Sequence, residues 1–324
     1  MKARHGLVLG KFMPLTTGHC HLVESARRQS AQLTILVCSL ANEPIDGHLR
    51  TEWMRETFPD CEVVHVTDEV PGFSHETSDS WRALIRRYAP AADTIFTSDE
   101  LGETLARELG IVHIKVDKAR RKFPISAAEV RQNPMKHWEF LAPVARPYFA
   151  HRVLVFGPES TGKTTLCRQL AARFSTVCVP EFAREFYDEK GIENAVYDDV
   201  ERIACGQQES EERLARQANR LLFCDTDAIT TTIYSRHYYG KVPLFLAQLA
   251  NRRRYNLTLF CDIDLPWESD PQRDLGHRRD EFREVFQREL RSRRIAFTTI
   301  CGQGEARFQS AIAAIENQFG ADLC

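Results

Sequence analysis

The sequence predicts two α/β domains, each built on a mainly parallel sheet. The chain has 324 residues, and single domains typically hold about 100–200. Two strand–loop–helix openings recur in it, one from Leu7 to a helix over about Cys20–Gln29, the other from Arg152 to a helix ending near Phe174. Between and beyond them, short apolar runs alternate with amphipathic stretches, as in βαβ units. Leu33-Thr-Ile-Leu-Val37, Thr94-Ile-Phe96 and Val112-His-Ile-Lys-Val116 are such runs.

Pro143 and Pro147 disfavour a continuous helix and suit a linker. The expected domains are therefore 1–147 and 148–324. Composition narrows the class further. With 43 basic and 45 acidic residues the net charge is −2, which gives no general argument for nucleic acid or a membrane as partner. The ten cysteines include no Cys-x-x-Cys pair, which disfavours a zinc site and suits a reducing compartment. No apolar run approaches the roughly 20 residues of a membrane helix, and no signal-type stretch opens the chain. A cytoplasmic protein is expected. Arg252–Arg254 and Arg291–Arg294 are short basic clusters that read as solvated helix faces.

The second opening carries the sharper motif. Gly157-Pro-Glu159-Ser160-Thr161-Gly162-Lys163-Thr164 matches G-x-x-x-x-G-K-[ST] between a strand and a helix. Glycines let backbone N–H groups curl around phosphates, and the following helix turns its positive end to them. Lys163 would reach the outer phosphates of ATP, and Thr164 would offer a hydroxyl to Mg²⁺, with Thr165 next to it in the cradle. The run Leu221-Leu-Phe-Cys-Asp225-Thr-Asp227 ends in carboxylates. Asp225 is the candidate magnesium ligand, and Asp227 a candidate substrate contact. Val177-Cys-Val-Pro-Glu181 also ends on a carboxylate, so Glu181 is the candidate base, weighed against a plain salt bridge. A Pro- and Gly-bearing segment from Asp264 to Asp280 is rich in arginine. It suits a lid, with Arg273 and Arg278 neutralising charge on the transferring phosphoryl group.

The first opening, Gly10-Lys11-Phe12-Met-Pro14-Leu-Thr16-Thr-Gly18-His19, resembles the signature G-x-F-x-P-x-[HT]-x-G-H of the nucleotidylyltransferase superfamily. Ile125-Ser126-Ala-Ala128-Glu-Val-Arg131 approximates its second signature, I-S-[GST]-T-x-x-R. The resemblance implies that the first loop lies against ATP, that His19 stabilises the α-phosphate, and that Arg131 reaches the β- and γ-phosphates. Ser126 would cap the helix that follows. Thr16 stands where many members have histidine, and Ala128 replaces a threonine hydroxyl.

Together the domains resemble the NadR-type bifunctional family, which joins nicotinamide-mononucleotide adenylyltransferase and ribosylnicotinamide kinase activities. Phe123-Pro-Ile-Ser, Pro180-Glu181-Phe-Ala-Arg184-Glu185, Asp225-Thr-Asp227 and Leu265-Pro-Trp267 extend the match over nearly the whole chain. The implied architecture is a Rossmann-like nucleotidylyltransferase domain followed by a P-loop kinase domain. The implied small molecules are ATP at both sites, nicotinamide riboside, nicotinamide mononucleotide and NAD, with Mg²⁺ as cofactor. Arg184 joins the implied substrate contacts. Trp81 and Trp267 are candidate stacking partners for the nicotinamide ring, weighed against burial in the core. Some members carry an N-terminal helix-turn-helix domain. Here a strand starts within ten residues of Met1, so DNA binding is not expected. The segment after Trp267 departs from the shorter acidic-glycine lid associated with the family. A homo-oligomer is left open. So are two other readings: the same chemistries on another acceptor, such as phosphopantetheine, or a first domain that senses NAD or ATP with little turnover.

Overall fold

The computed structural model describes residues 2–67, 78–98, 101–117, 122–252 and 255–320. Arg253 and Arg254 of the first basic cluster lie outside them. The chain divides into two compact units, Met1–Arg146 and Pro147–Cys324.

The first unit runs β1 (Ala3–Gly10), α1 (Thr17–Gln29), β2 (Ser30–Cys38), α2 (Gly47–Thr57), β3 (Glu62–Val66), α3 (Ser78–Tyr88), β4 (Thr94–Thr97), α4 (Leu101–Leu109), β5 (Val112–Lys115) and α5 (Ala127–Gln132). Its strands are ordered β3-β2-β1-β4-β5, all parallel. Central strands of such a sheet are buried on both faces, and every residue of Leu33–Cys38 and Thr94–Thr97 is buried. The chain leaves β1 in one direction along the sheet and returns to its other side at β4, which opens a crevice at the carboxyl ends of these strands. The loop 11–16 starts there, at the end of β1.

Trp81 does not line that crevice. It is fully buried with Leu7, Leu36 and Ile95. On α3, Trp81, Leu84 and Ile85 fall three and four residues apart and form one inward stripe. The candidate stacking ring is a core residue.

The prolines after α5 start helical turns rather than an extended linker. Pro143 opens a 3-10 turn, Pro143–Ala145, and Pro147 sits in the first turn of α6 (Arg146–Phe149). Proline is tolerated there because its missing N–H would have no partner in a first turn.

The second unit continues β6 (His151–Phe156), α7 (Lys163–Arg173), β7 (Val177–Val179), α8 (Phe182–Lys190), α9 (Asp199–Ala215), β8 (Leu221–Asp225), α10 (Ala228–Tyr239), α11 (Leu244–Asn251), β9 (Leu257–Cys261), α12 (Arg279–Ser292), β10 (Thr298–Ile300) and α13 (Gly304–Phe319). Its order is β10-β9-β6-β8-β7, again all parallel. β8 and β9 are buried at every residue. β6 lies between β9 and β8, so its carboxyl end is again the place where the chain changes direction across the sheet. The second basic cluster is a solvated helix end: Arg293 pairs with Glu289 at 2.8 Å and Arg291 donates to Gln287. No helix among the described residues is long and apolar enough to cross a membrane.

Candidate nucleotide sites

In the first unit, Thr16 caps α1. Its hydroxyl accepts the N–H of His19, and the Thr16 N–H donates to His19 Nδ1 at 3.2 Å. This reciprocal cap satisfies two N–H groups. It also fixes the histidine tautomer: Nδ1 accepts, so the proton of the neutral ring is on Nε2. Burial lowers the His19 pKa to about 4, opposed by a hydrogen bond with the Pro14 backbone. The ring is therefore neutral at physiological pH. Phe12 meets it edge-on at 5.2 Å. Threonine at position 16 thus supplies the cap, which no feature of the sequence motif reveals.

Arg131 donates to the Met13 carbonyl at 2.6 Å, so α5 is tied to the loop. Ser126 caps α5 and exchanges hydrogen bonds with Glu129. The loop's other side is braced by an isolated bridge between Thr16 and Leu141 and by the Ala142 N–H on Leu15. Gly10 and Gly18 sit where phenylalanine side chains approach closely: a Cβ on them would lie 3.3 Å from Phe12 and from Phe123. Lys11 pairs with Glu43 at 2.8 Å.

In the second unit the loop after β6 takes backbone angles that favour glycine. Gly157 has φ 147° and Gly162 φ 73°, and a Cβ on Gly157 would be 2.7 Å from the Cys261 carbonyl. Lys163 Nζ donates to the Pro158 carbonyl at 2.8 Å, and Thr161 Oγ1 donates to the same oxygen. Thr164 Oγ1 donates to Asp225 Oδ2 at 2.5 Å. Asp225 is fully buried, and its other oxygen has no partner.

A cavity of about 960 Å³ opens over this loop. Glu159–Thr165, Glu181, Arg184 and Arg273 line it. Burial raises the Glu181 pKa, with Lys163 the leading opposing charge. Burial, then Asp274, pushes Glu159 up to about 7. Arg184 pairs with Asp270 of the arginine-bearing segment at 2.8 Å. The segment is also tied to the loop: the Glu268 N–H donates to Ser160 Oγ, and Arg279 donates to the Ser160 and Leu265 carbonyls.

Three expectations change. Asp227 caps α10, accepting from Ile229 and Thr230. It is 3% exposed and burial pushes its pKa to about 7, so it is a helix cap and not a wall of the large cavity. Arg278 precedes α12, folds along it onto Glu281 at 2.5 Å and lies outside the cavity lining. Trp267 packs its ring on Gly276, where a Cβ would meet it at 2.7 Å, and takes Arg279 at 5.8 Å from its centroid. It too is absent from the lining. Tyr187, Tyr234 and Tyr238 line the cavity instead.

Sequence reasoning missed two arginines. Arg307 on α13 is 4% exposed and donates to the Thr161, Asp262 and Gly302 carbonyls and to Asp264. Arg50 on α2 is fully buried. A signal for Arg50 existed, since it falls on the inward stripe of Gly47, Thr51 and Met54.

Residues 152–307 match the AAA domain family. The trifunctional NAD biosynthesis/regulator protein NadR of Escherichia coli K12 is 28% identical, over 97% of this chain and 83% of that protein. Over nearly its whole length the chain is therefore similar to NadR. NadR of Salmonella typhimurium is similar at 27% identity over the same shares. A crystal structure of NadR in complex with NR superposes with a TM-score of 0.78 at 23% identity, covering 99% of this chain and 97% of that one. The likeness of fold therefore extends over both units of this chain.

Proposed function

We propose that this protein is, like the NadR proteins it resembles, an enzyme of NAD synthesis with two ATP sites. The second unit transfers the γ-phosphoryl of ATP to the 5′-hydroxyl of nicotinamide riboside. The first unit joins the resulting mononucleotide to the adenylyl group of a second ATP, releasing pyrophosphate. The observation that carries the reading is the convergence of Lys163, the Thr164–Asp225 pair, Glu181 and Arg273 on the loop after β6 and its cavity. The relatives' names support the pathway, as does a NadR structure with NAD and AMP-PNP at 24% identity and TM-score 0.76.

Phosphoryl transfer asks a protein chiefly for alignment and cations. Lys163 and Arg273 supply positive charge around the γ-phosphate. Glu181 accepts the proton of the attacking hydroxyl, for which its raised pKa suits it. Thr164 and Asp225 fit a magnesium ion, because the hydroxyl and the orphaned carboxylate oxygen are hard oxygen donors side by side. Bound there, the ion would neutralise phosphate charge. In the first unit the His19 Nε2–H donates to a non-bridging oxygen of the α-phosphate while the mononucleotide phosphate attacks and pyrophosphate departs. The nucleophile is already anionic, so no base is required.

Lys163→Ala tests the assignment of the second site. Riboside phosphorylation should fall by at least about 100-fold, the usual scale for a lost charge on a transferring phosphoryl group. NAD formation from added mononucleotide should persist. Near wild-type phosphorylation by the variant would remove the kinase reading.

A further inference from the structure

Arg50 stands apart from every residue singled out above. Its guanidinium is 0% exposed, a place where an unpaired charge would be very costly. Three of its four hydrogen bonds among the described residues go to backbone carbonyls, two of them at the carboxyl ends of β1 and β2. Nη1 donates to the Lys11 carbonyl at 2.5 Å and to the Cys38 carbonyl at 3.3 Å. Nε donates to the Asp46 carbonyl at 3.3 Å, and Nη2 to Glu43 Oε2 at 2.5 Å. Lys11 is the first residue after β1, and Cys38 is the last of β2. One planar group thus ties the first residue of the nucleotide loop, which leaves β1, to the neighbouring end of β2.

The same group controls a charge. Glu43 takes Arg50 on one oxygen and Lys11 Nζ on the other. Burial alone would raise the Glu43 pKa, but Lys11, the Leu40 N–H and Arg50 together hold it below the usual range. Glu43 stays an anion, and it sets where the Lys11 ammonium sits. Lys11 adjoins Gly10 at the mouth of the crevice, so a shift of its peptide or its ammonium moves the groups facing a polyphosphate.

We propose that Arg50 is a positioning residue for adenylyl transfer, acting through the Lys11 carbonyl and through Glu43. The inference rests on the adenylyl-transfer reading of the first unit. A residue that merely stabilised the fold would change the fraction of folded protein. A positioning residue changes kcat per folded molecule. Displacing phosphate-facing groups by about 1 Å commonly costs on the order of 100-fold in rate.

The test uses the full chain and measures NAD formation from mononucleotide and Mg-ATP. Thermal unfolding of the same preparation gives the folded fraction of the first unit, and riboside phosphorylation reports the second unit separately. Arg50→Met should lower kcat for NAD formation by roughly 100-fold, with KM for mononucleotide changed less than about 3-fold and phosphorylation unchanged. Arg50→Lys should recover only part of the loss, since an ammonium cannot span the same set of acceptors in the plane of a guanidinium. Glu43→Gln removes the anion without emptying the buried site and should cost about 10-fold in kcat. Normal kcat in folded Arg50→Met overturns the proposal. If Arg50→Met fails to fold, normal kcat in Glu43→Gln overturns it instead. A wild type that makes no NAD removes the adenylyl-transfer reading, and this proposal with it.

Discussion

At the scale of single residues, the sharpest expectation concerns the proton on His19. The cap geometry places it on Nε2, and burial holds the ring neutral down to a pKa of about 4. An unfolded histidine titrates near 6.5. Between those values the unfolded chain binds more protons than the folded one, so stability rises with pH across that window and is lost as pH falls from 6.5 toward 4. An NMR titration of the His19 ring should give a midpoint near 4, and a midpoint near 6.5 would contradict the buried, capped arrangement. His19→Ala should abolish NAD formation while phosphorylation continues and mononucleotide accumulates. Glu181→Gln should reduce phosphorylation by about 100-fold with KM for ATP little changed, the range for a lost general base. Steady-state kinetics of folded variants check both. His19, Lys163 and Thr164 were legible in the sequence because their motifs have fixed spacing between strand and helix. The partners of Arg50 and Arg307 were not, because both bind mostly backbone carbonyls, which have no residue identity to read; only the place of Arg50 on the inward stripe of its helix was. Asp227 misled for a related reason: a carboxylate after a strand reads the same whether it faces substrate or caps the next helix.

The elements show why the loops sit where they do. Gly157 has φ 147° with the Cys261 carbonyl against it, so any side chain there forces β6 and β9 apart. Gly157→Ala should destabilise the second unit by about 1–3 kcal/mol, the cost of a disfavoured backbone position plus a close contact. Chemical denaturation would report it, and unchanged stability would mean that the loop takes another path. Strand order was not readable from alternation alone. The apolar runs predicted parallel strands, but placing β1 between β2 and β4, and β6 between β8 and β9, needed the pairing itself. The prolines near 143–147 read as a linker and instead begin two helical turns, since a sequence pattern cannot tell a helix stop from a helix start when one follows the other closely.

For the whole molecule, the central claim is that one chain carries two separate ATP chemistries. Each unit has its own parallel sheet with a glycine-bearing loop at the carboxyl end of its central strand, and the large cavity is lined by residues between 159 and 308. A fragment spanning 148–324 should therefore unfold cooperatively and phosphorylate nicotinamide riboside. A folded but inactive fragment would mean that residues outside it complete the site. The most direct test is to incubate the full chain with Mg-ATP and nicotinamide riboside and to follow nicotinamide mononucleotide and NAD separately over time. The two-site account predicts that mononucleotide appears first and NAD follows with a lag that added mononucleotide removes. Riboside left unconsumed, with no NAD formed from added mononucleotide, would contradict it.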